Sequence, residues 1–199
     1  MRNKKGMLLV VSGPSGVGKG TLCARLIAEC DNMRASVSMT TRAPREHESE
    51  GRDYFFRDER TFERLILEGG FLEFAYVHGN RYGTPRKYVE DMVEEGFDVV
   101  LEIDVQGSAQ AMKAYPDAVT VFILPPSRAE LRSRLASRNT ETDEQIELRL
   151  RNAELELFMV KEYRYCIVND VLSDALCQLK AIITAERCLV SRGAALEID

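Results

Sequence analysis

A glycine-rich segment near the start of the chain has the composition of a phosphate-binding loop. It reads Gly13-Pro-Ser-Gly-Val-Gly-Lys-Gly-Thr21 and fits the spacing G-x-x-x-x-G-K, between an apolar run and a stretch patterned as a helix. Its glycines let backbone N–H groups turn inward around phosphate oxygens, the helix N-terminus adds partial positive charge, and Lys19 reaches the β- and γ-phosphates. The alternative is a glycine-rich turn with no ligand. The predicted contacts are Gly13, Pro14, Ser15, Gly16, Val17, Gly18, Lys19, Gly20 and Thr21.

The metal-binding part of this motif departs from the simple pattern. Gly20 stands where the motif places a magnesium-binding hydroxyl, and the first hydroxyl belongs to Thr21. We expect Mg²⁺ to be held mostly through water, nucleotide oxygens and acids elsewhere. Glu102, near the end of the strand-like run 97–103, is the best such acid, because strand ends beside a phosphate loop face the site in parallel α/β folds. A glutamate in a buried strand is costly unless it is used or paired.

A second anion site is indicated further along the chain. Arg42 and Arg45 lie three residues apart, with a proline between them that stiffens the loop, and Tyr54 follows nine residues after Arg45. Two guanidinium groups with a tyrosine hydroxyl could clamp a phosphate. Taken alone, this pattern is more typical of a solvated surface.

Several polar residues near this second site would match one base. Glu73 lies inside an apolar strand, Asp104 falls just beyond the run that carries Glu102, and Ser38 and Thr84 offer hydroxyls. The N1–H and N2 amino group of guanine donate to carboxylates, and its O6 accepts from a hydroxyl. Adenine would point a lone pair at a carboxylate and would be rejected.

The elements that must position these residues follow two patterns. Short apolar runs at 7–12, 97–103, 118–124 and 165–168, each followed by a helical stretch, predict an α/β layer with a largely parallel, buried sheet. Between about 36 and 91 the pattern changes to short alternating segments, starting with 36–41, which suggests a small mixed or antiparallel β insertion. Residues 128–151 read as helices broken near 137–140, with Thr142 as a helix N-cap.

Composition excludes several classes of protein. The 199 residues are 45% hydrophobic and 30% charged, so neither disorder nor a membrane protein fits. Lys and Arg number 27 against 32 Asp and Glu, a net charge of −5, which argues against a dedicated nucleic-acid binder. No stretch approaches the ~18 apolar residues of a transmembrane helix.

Cysteine usage indicates a reducing compartment. The five cysteines are an odd number without a C-x-x-C pair, and we expect them to be reduced, buried small hydrophobes of a cytoplasmic protein. They are Cys23, Cys30, Cys166, Cys177 and Cys188.

Taken together, the motifs closely resemble those of bacterial guanylate kinases, P-loop nucleoside monophosphate kinases. The matching segments are 13–21, 36–45, 51–54, 82–84 and 103–107, together with Glu73, and they span nearly the whole chain. The resemblance implies a three-layer P-loop core (1–35, 92–127 and 152–199), a small mixed β insert that binds GMP (36–91) and a helical lid (128–151). It implies Mg²⁺-dependent phosphoryl transfer from ATP to GMP, and dGMP as a second acceptor, in purine metabolism.

The resemblance also assigns roles to residues. Contacts to guanine are expected from Ser38, Glu73, Thr84 and Asp104, and contacts to the GMP phosphate from Arg42, Arg45, Tyr54 and Tyr82. Lys19, Arg138 and Arg149 are expected to act on the transferring group, with Asn169 near the adenine of ATP. Two positions depart from the usual pattern, because His47 and Asn139 stand where glycine is common. Neither change removes a contacting group.

Two other functions remain open at this point. Guanylate-kinase-like modules of scaffold proteins bind phosphopeptides, but they have usually lost the phosphate loop that is intact here. A related P-loop kinase acting on a sugar phosphate is the second alternative, and the guanine set around Glu73 and Asp104 argues against it. We expect ATP and GMP as the partners, with neither nucleic acid nor membrane, and the sequence is compatible with a homo-oligomer.

Overall fold

The computed structural model describes residues 5–137 and 142–192, and within these ranges strands and helices alternate along the chain. The strands are β1 (Leu8–Ser12), β2 (Met33–Ala35), β3 (Met39–Thr40), β4 (Phe55–Phe56), β5 (Phe71–Val77), β6 (Asn80–Pro85), β7 (Asp98–Glu102), β8 (Val119–Leu124) and β9 (Tyr165–Val168). The helices are α1 (Lys19–Glu29), α2 (Glu59–Leu67), α3 (Arg86–Glu94), α4 (Val105–Ala114), α5 (Arg128–Ala136), α6 (Asp143–Leu157) and α7 (Leu172–Arg187). Short 3₁₀ helices cover Phe158–Glu162 and Val190–Arg192.

Five parallel strands form the central sheet, in the order β2-β7-β1-β8-β9. Its middle strand, β1, is buried on both faces. Leu9 packs with Leu22 of α1 and Leu179 of α7, and Leu8 on the opposite face packs with Val89 of α3. Each fully buried leucine contributes about 1.5–3 kcal/mol. The predicted α/β fold with helices on both faces of a parallel sheet is therefore confirmed.

A second, four-stranded sheet has the order β4-β3-β6-β5. Strands β3 and β4 are parallel, and the other two pairs are antiparallel, so the predicted mixed β insertion is confirmed. Helix α2 covers this sheet through Phe62, whose ring stacks on that of Phe71 with centroids 4.4 Å apart. Asp58 caps the helix by accepting from the N–H of Thr61 at 2.7 Å.

Helices α5 and α6 pack against each other next to the phosphate loop. Thr142 caps α6 in a capping box with Gln145, as the sequence predicted. The expected domain boundaries after residues 91 and 151 fall inside α3 and α6, and the three-part division stays a prediction. Among the residues that the structure describes, no helix is long and apolar enough to cross a membrane.

The expectation that all five cysteines are buried was wrong for three of them. Cys23 is buried and Cys30 partly buried, but Cys166, Cys177 and Cys188 are exposed, and all five are free thiols. Cys166 is exposed because it lies on the face of β9 opposite Ile167, and only the face of Ile167 packs against the core cluster that includes α7. An apolar residue type in a regular element does not by itself fix which face it occupies.

Two predicted strands also differ from those observed. The run 165–168 was expected to be a fully buried strand, but only Ile167 of β9 is buried, because only one face of this strand packs against the core cluster that includes α7. In the alternating run 36–41, only Met39–Thr40 pairs as a strand of the insert sheet. The N–H of Ser36 instead donates to the carbonyl of Val100 in the central sheet at 2.9 Å.

Candidate active site

The phosphate loop occupies the turn between β1 and α1, at the carboxyl edge of the central sheet. Gly13, Gly16 and Gly18 have φ angles of 139°, 87° and 89°, a region that L side chains rarely adopt. Gly18 is also the N-cap of α1 and provides no side-chain cap, which leaves the first N–H groups of the helix available to an anion. The backbone thus has the form that the sequence predicted.

Lys19 lies at the centre of this loop. Its Nζ donates to the carbonyl oxygens of Gly13 at 2.6 Å and Pro14 at 3.0 Å. Burial lowers the pKa of Lys19, whereas the carboxylates of Glu102 and Glu156 act in the opposite direction. The ammonium group is therefore held over the loop, with acids nearby that stabilise its charge.

Glu102 stands at the end of β7, directly opposite the start of α1. A Cβ atom at position 20 would lie 3.3 Å from Glu102 Oε1 and 3.6 Å from Oε2. The glycine at position 20, a departure from the simple motif, therefore lets the carboxylate come close to the loop. Desolvation raises the pKa of Glu102, and Lys19 opposes that shift. Thr21 joins Glu102 in the lining of a cavity of about 300 Å³ beside the loop.

Asn169 fixes the loop from the side of β9. Its Nδ2 donates to the carbonyl of Val17 at 2.7 Å, and a Cβ at position 18 would lie 2.7 Å from the same nitrogen. Arg134 of α5 in turn donates to the carbonyl of Asn169 at 2.9 Å. The Asn169 side chain therefore holds the phosphate loop by a hydrogen bond to the backbone of the loop. Its expected place near adenine stays a prediction.

The two carboxylates expected to read the base converge on Gly107, in the first turn of α4. A Cβ there would lie 3.3 Å from Glu73 Oε2 and 3.4 Å from Asp104 Oδ1. Asp104 caps α4, accepting from the N–H of Gly107 at 2.7 Å, and Thr84 donates to Glu73 Oε1 at 2.6 Å. Glu73, Asp104 and Gly107 line a cavity of about 300 Å³ between β5 and α4.

Sheet register explains why these residues meet. Glu73 of β5 pairs directly with Thr84 of β6, just after an irregularity that follows Phe71. Met39 of β3 pairs with Gly83, and extending that register by one residue places Ser38 opposite Thr84. The insert sheet therefore brings two hydroxyls and a carboxylate to one end, where the core supplies Asp104.

Glu73 is in an unfavourable environment for a charge. Glu73 is only 9% exposed to solvent. Burial raises the pKa of Glu73, the hydrogen bond from Thr84 opposes that shift, and the charge of Asp104 adds to it. A ligand that donates hydrogen bonds to this carboxylate would stabilise its charged form.

The expected phosphate clamp is partly assembled. The guanidinium of Arg42 lies 5.5 Å from the centre of the Tyr54 ring, and the rings of Tyr54 and Tyr82 are 6.0 Å apart in an edge-to-face arrangement. Arg45 is exposed, with its backbone N–H directed into the same loop. The structure thus brings Arg42, Tyr54 and Tyr82 together, in the loop that also carries Arg45.

Glu48, which was not among the predicted site residues, holds this clamp together. Its two oxygens accept from Arg42 Nη2 at 2.8 and 2.9 Å, and Oε2 also accepts from the N–H of Arg45 at 2.9 Å. These contacts hold the pKa of Glu48 below its usual value, with Arg42 as the main cause. The sequence signal for these contacts was the position of the acid, six residues after Arg42 and three residues after Arg45.

The lid residues are only partly placed. Arg149 lies half-buried on α6, and Arg138 and Asn139 lie outside the described residues. Glu156, also missed from the sequence, lies seven residues after Arg149 and so on the same side of α6. Desolvation raises the pKa of Glu156, and the charge of Lys19 opposes the shift, which places this face of α6 near the phosphate loop.

Clusters of three or more His, Cys, Asp or Glu suited to a metal do not occur in the described part of the chain. Glu102 and Thr21 supply oxygen donors, and Mg²⁺ prefers oxygen ligands and usually keeps several waters. The donor set fits magnesium bound together with a nucleotide.

Comparison with known proteins gives consistent matches. The family model described as guanylate kinase matches residues 5–186. The chain is 47% identical over 190 residues to a guanylate kinase of Caldanaerobacter subterraneus subsp. tengcongensis, covering 96% of this chain and 92% of that protein. It is 50% identical over 198 residues to one from Symbiobacterium thermophilum, covering 98% and 94%. A crystal structure of guanylate kinase from Anaplasma phagocytophilum is 37% identical with a TM-score of 0.70, covering 95% of this chain and 90% of that one.

Proposed function

The chain belongs to the guanylate kinase family, and we propose that its two clefts divide the work of that family's reaction between them. The protein is an ATP:GMP phosphotransferase, which moves the γ-phosphoryl group of ATP to GMP and yields ADP and GDP. In our proposal the cleft at the phosphate loop holds ATP, and the cleft between Glu73 and Asp104 holds GMP.

The ATP side uses the backbone and Lys19. The N–H groups of the phosphate loop and of the first turn of α1 bind the phosphate oxygens, and Lys19 stabilises the β- and γ-phosphates. Asn169 supports the loop through Val17 and borders the adenine side. The fixed positive φ angles of the three glycines mean that these donors are oriented before the phosphates arrive.

The GMP side reads base and phosphate separately. Glu73 and Asp104 accept from N1–H and the 2-amino group of guanine, and the hydroxyls of Ser38 and Thr84 serve the remaining base edge. Arg42, Arg45, Tyr54 and Tyr82 hold the phosphate. Further members of this set are Glu48, which fixes Arg42, and Gly107, which leaves room for both carboxylates.

The reaction needs no general base from the protein. An oxygen of the GMP phosphate is already anionic at neutral pH, so it attacks the γ-phosphorus while the bond to the ADP oxygen breaks. The protein's contribution is to align the two phosphates in line and to neutralise charge. Lys19, Arg138 and Arg149 supply that charge, and closure of insert and lid excludes water, which would otherwise hydrolyse ATP.

Magnesium fits the residues beside the loop. Glu102, reached across Gly20, and Thr21 would hold it, partly through water. A bound Mg²⁺ would supply positive charge that offsets the negative charge of the nucleotide phosphates. The approach of Glu102 to position 20 supports this assignment, because any larger residue there would crowd the carboxylate.

We also propose dGMP as a second acceptor, because it differs from GMP only at the ribose 2′ position, away from the base and phosphate contacts. The cytoplasm is the expected location, since ATP and GMP are supplied there. A homo-oligomer is compatible with this activity, because all the proposed contacts come from one chain.

The observation that supports the proposal most is the convergence of Glu73 and Asp104 on Gly107, together with the cluster of Arg42, Tyr54 and Tyr82 in the insert that carries Glu73. We propose a coupled assay of ADP release with ATP, Mg²⁺ and one acceptor at a time. GMP and dGMP should support turnover, and AMP, CMP, UMP and a sugar phosphate should not. Equal rates with AMP or UMP, or activity with the sugar phosphate alone, would refute the proposal.

A further inference from the structure

Gln110 connects the GMP-binding insert to the core by an unusual pair of hydrogen bonds. Its Oε1 accepts from the N–H of Phe74 at 3.2 Å, and its Nε2 donates to the carbonyl of Phe74 at 3.2 Å. Gln110 belongs to α4 of the core, and Phe74 belongs to β5 of the insert. One side chain therefore satisfies both backbone groups of a single residue in the other unit.

The position of Phe74 gives this pair its significance. Strand β5 is at the edge of the insert sheet, with β6 on one side only, so the outward N–H and C=O groups of β5 have no strand to pair with. The carboxamide of Gln110 takes the place of that strand at Phe74. The carboxamide fixes the position of β5 along α4, just as a neighbouring strand would fix the register of β5.

The hydrogen bonds between Gln110 and Phe74 lie directly beside the carboxylates that are proposed to read the base. Phe74 follows Glu73 in β5, and Gln110, Gly107 and Asp104 are spaced by three residues along one side of α4. Gly107 lets the two elements approach closely, since a Cβ there would touch both carboxylates. The distance between Glu73 and Asp104 thus depends on how β5 docks on α4.

From these contacts we infer that Gln110 is a positioning residue for guanine recognition, which sets the spacing of Glu73 and Asp104 without touching the base itself. This inference rests on the proposed function of the two carboxylates. A loosened β5 would leave each carboxylate intact but free to move relative to the other. The two carboxylates could then no longer accept at the same time from the two donors of guanine, whose spacing is fixed by the rigid base.

Other features of the described chain carry less. A cavity of about 500 Å³ lies at the opposite edge of the sheet near Lys5, Arg164 and Arg192, and all three cations already have ion pairs with Glu94 or Glu186. The exposed apolar residues of β5, Phe74, Tyr76 and Val77, have nothing beside them that indicates a partner.

The test uses Gln110→Met, which keeps the length of the side chain and removes both hydrogen bonds, and Gln110→Glu, which keeps only the acceptor for Phe74 N–H. Gln178→Met, on an exposed position of α7, controls for the loss of an exposed helical glutamine. For Gln110→Met we expect KM for GMP to rise about 3- to 30-fold, as two modest hydrogen bonds would give. The KM of Gln110→Glu for GMP should lie between those of Gln110→Met and the unchanged protein. The KM for ATP and kcat at saturating GMP should not change.

A base-selectivity measurement separates positioning from a merely structural role. IMP lacks the 2-amino group, so the ratio of kcat/KM for GMP to that for IMP reports how well both carboxylates are met. The ratio should fall in Gln110→Met and stay constant in Gln178→Met. A lower melting temperature with unchanged GMP constants and an unchanged ratio would overturn the inference.

Calorimetric titration with GMP keeps this test separate from that of the proposed function. Weaker GMP binding by Gln110→Met supports the inference even if turnover is limited elsewhere. If the unchanged protein binds GMP and phosphorylates it while Gln110→Met behaves identically, only the inference about Gln110 fails. If the unchanged protein neither binds nor phosphorylates GMP, the proposed function fails, and the inference fails with it.

Discussion

Glu48 holds the guanidinium of Arg42 with both carboxylate oxygens, at 2.8 and 2.9 Å from one nitrogen. The side chains are 9% and 17% exposed, so this ion pair is shielded from water compared with ordinary surface pairs. The same carboxylate accepts from the backbone N–H of Arg45. One acid therefore organises the loop that carries both arginines expected to bind the GMP phosphate.

We predict that Glu48→Gln raises KM for GMP about 3- to 10-fold, because Arg42 loses the charged partner that orients its planar fork. The control is Glu46→Gln, the same change at an exposed position two residues earlier in the loop. Steady-state kinetics with GMP varied at saturating ATP measure the effect. A lower KM in Glu48→Gln would contradict the prediction and show instead that the carboxylate competes with the phosphate.

The carboxylates proposed to read the base should show opposite effects on GMP binding and on stability when they are neutralised. Glu73→Gln places a donor where guanine also donates, an unpaired group costing about 1–3 kcal/mol, so kcat/KM for GMP should fall roughly 5- to 150-fold. The same change removes a buried charge and should raise the melting temperature. Unchanged kinetics would mean that Glu73 serves only the fold, and Thr84→Val tests its hydrogen bond separately.

The raised pKa of Glu73 predicts a pH dependence. Since the carboxylate must be charged to accept from two guanine donors, KM for GMP should rise as pH falls through the raised pKa, above the 4.5 of an ordinary glutamate. Folding raises this pKa, so the contribution of Glu73 to stability decreases as pH rises from 4.5 through the folded-state value. In Glu73→Gln the share of both dependences that Glu73 contributes should be absent, while the titration of the GMP phosphate and of the other carboxylates stays. Identical pH profiles of KM for GMP in Glu73→Gln and the unchanged protein would contradict this assignment.

Arg149 should act in the transition state more than in ground-state binding. If it contacts the transferring phosphoryl group, Arg149→Ala should lower kcat strongly, by roughly 10³-fold or more, and leave both KM values nearly unchanged. Arg151→Ala, an exposed position two residues along the same helix, is the control. A higher KM for ATP at constant kcat would remove Arg149 from the catalytic set. Thermal melting of both variants checks that α6 still folds.

The form of the phosphate loop could be predicted because its determinants are local. Gly13, Gly16, Gly18 and Lys19 lie within one turn and the start of one helix, so spacing alone indicated their geometry. The parallel sheet was predictable for the same reason, from apolar runs followed by helical patterns.

The contacts between elements could not be predicted in this way. The pairing of Glu73 with Thr84 depends on the register of β5 and β6, and the approach of Glu102 to Gly20 depends on neighbouring strands. Gln110 bonds to the backbone of a residue that is distant in the chain, and a single glutamine carries no spacing signal for that contact. The exposed cysteines show the same limit, because the packed face of a strand or a helix is a property of the assembled fold.

The most direct test of the whole account follows the phosphoryl group itself. ATP labelled at the γ-phosphate with ³²P is supplied with Mg²⁺ and an equimolar mixture of GMP, AMP, CMP and UMP, and the products are separated by chromatography. We predict that the label appears in GDP in an amount equal to the ADP formed, since the two clefts align the phosphates and exclude water. Label in inorganic phosphate, or shared among the diphosphates of several bases, would contradict the account.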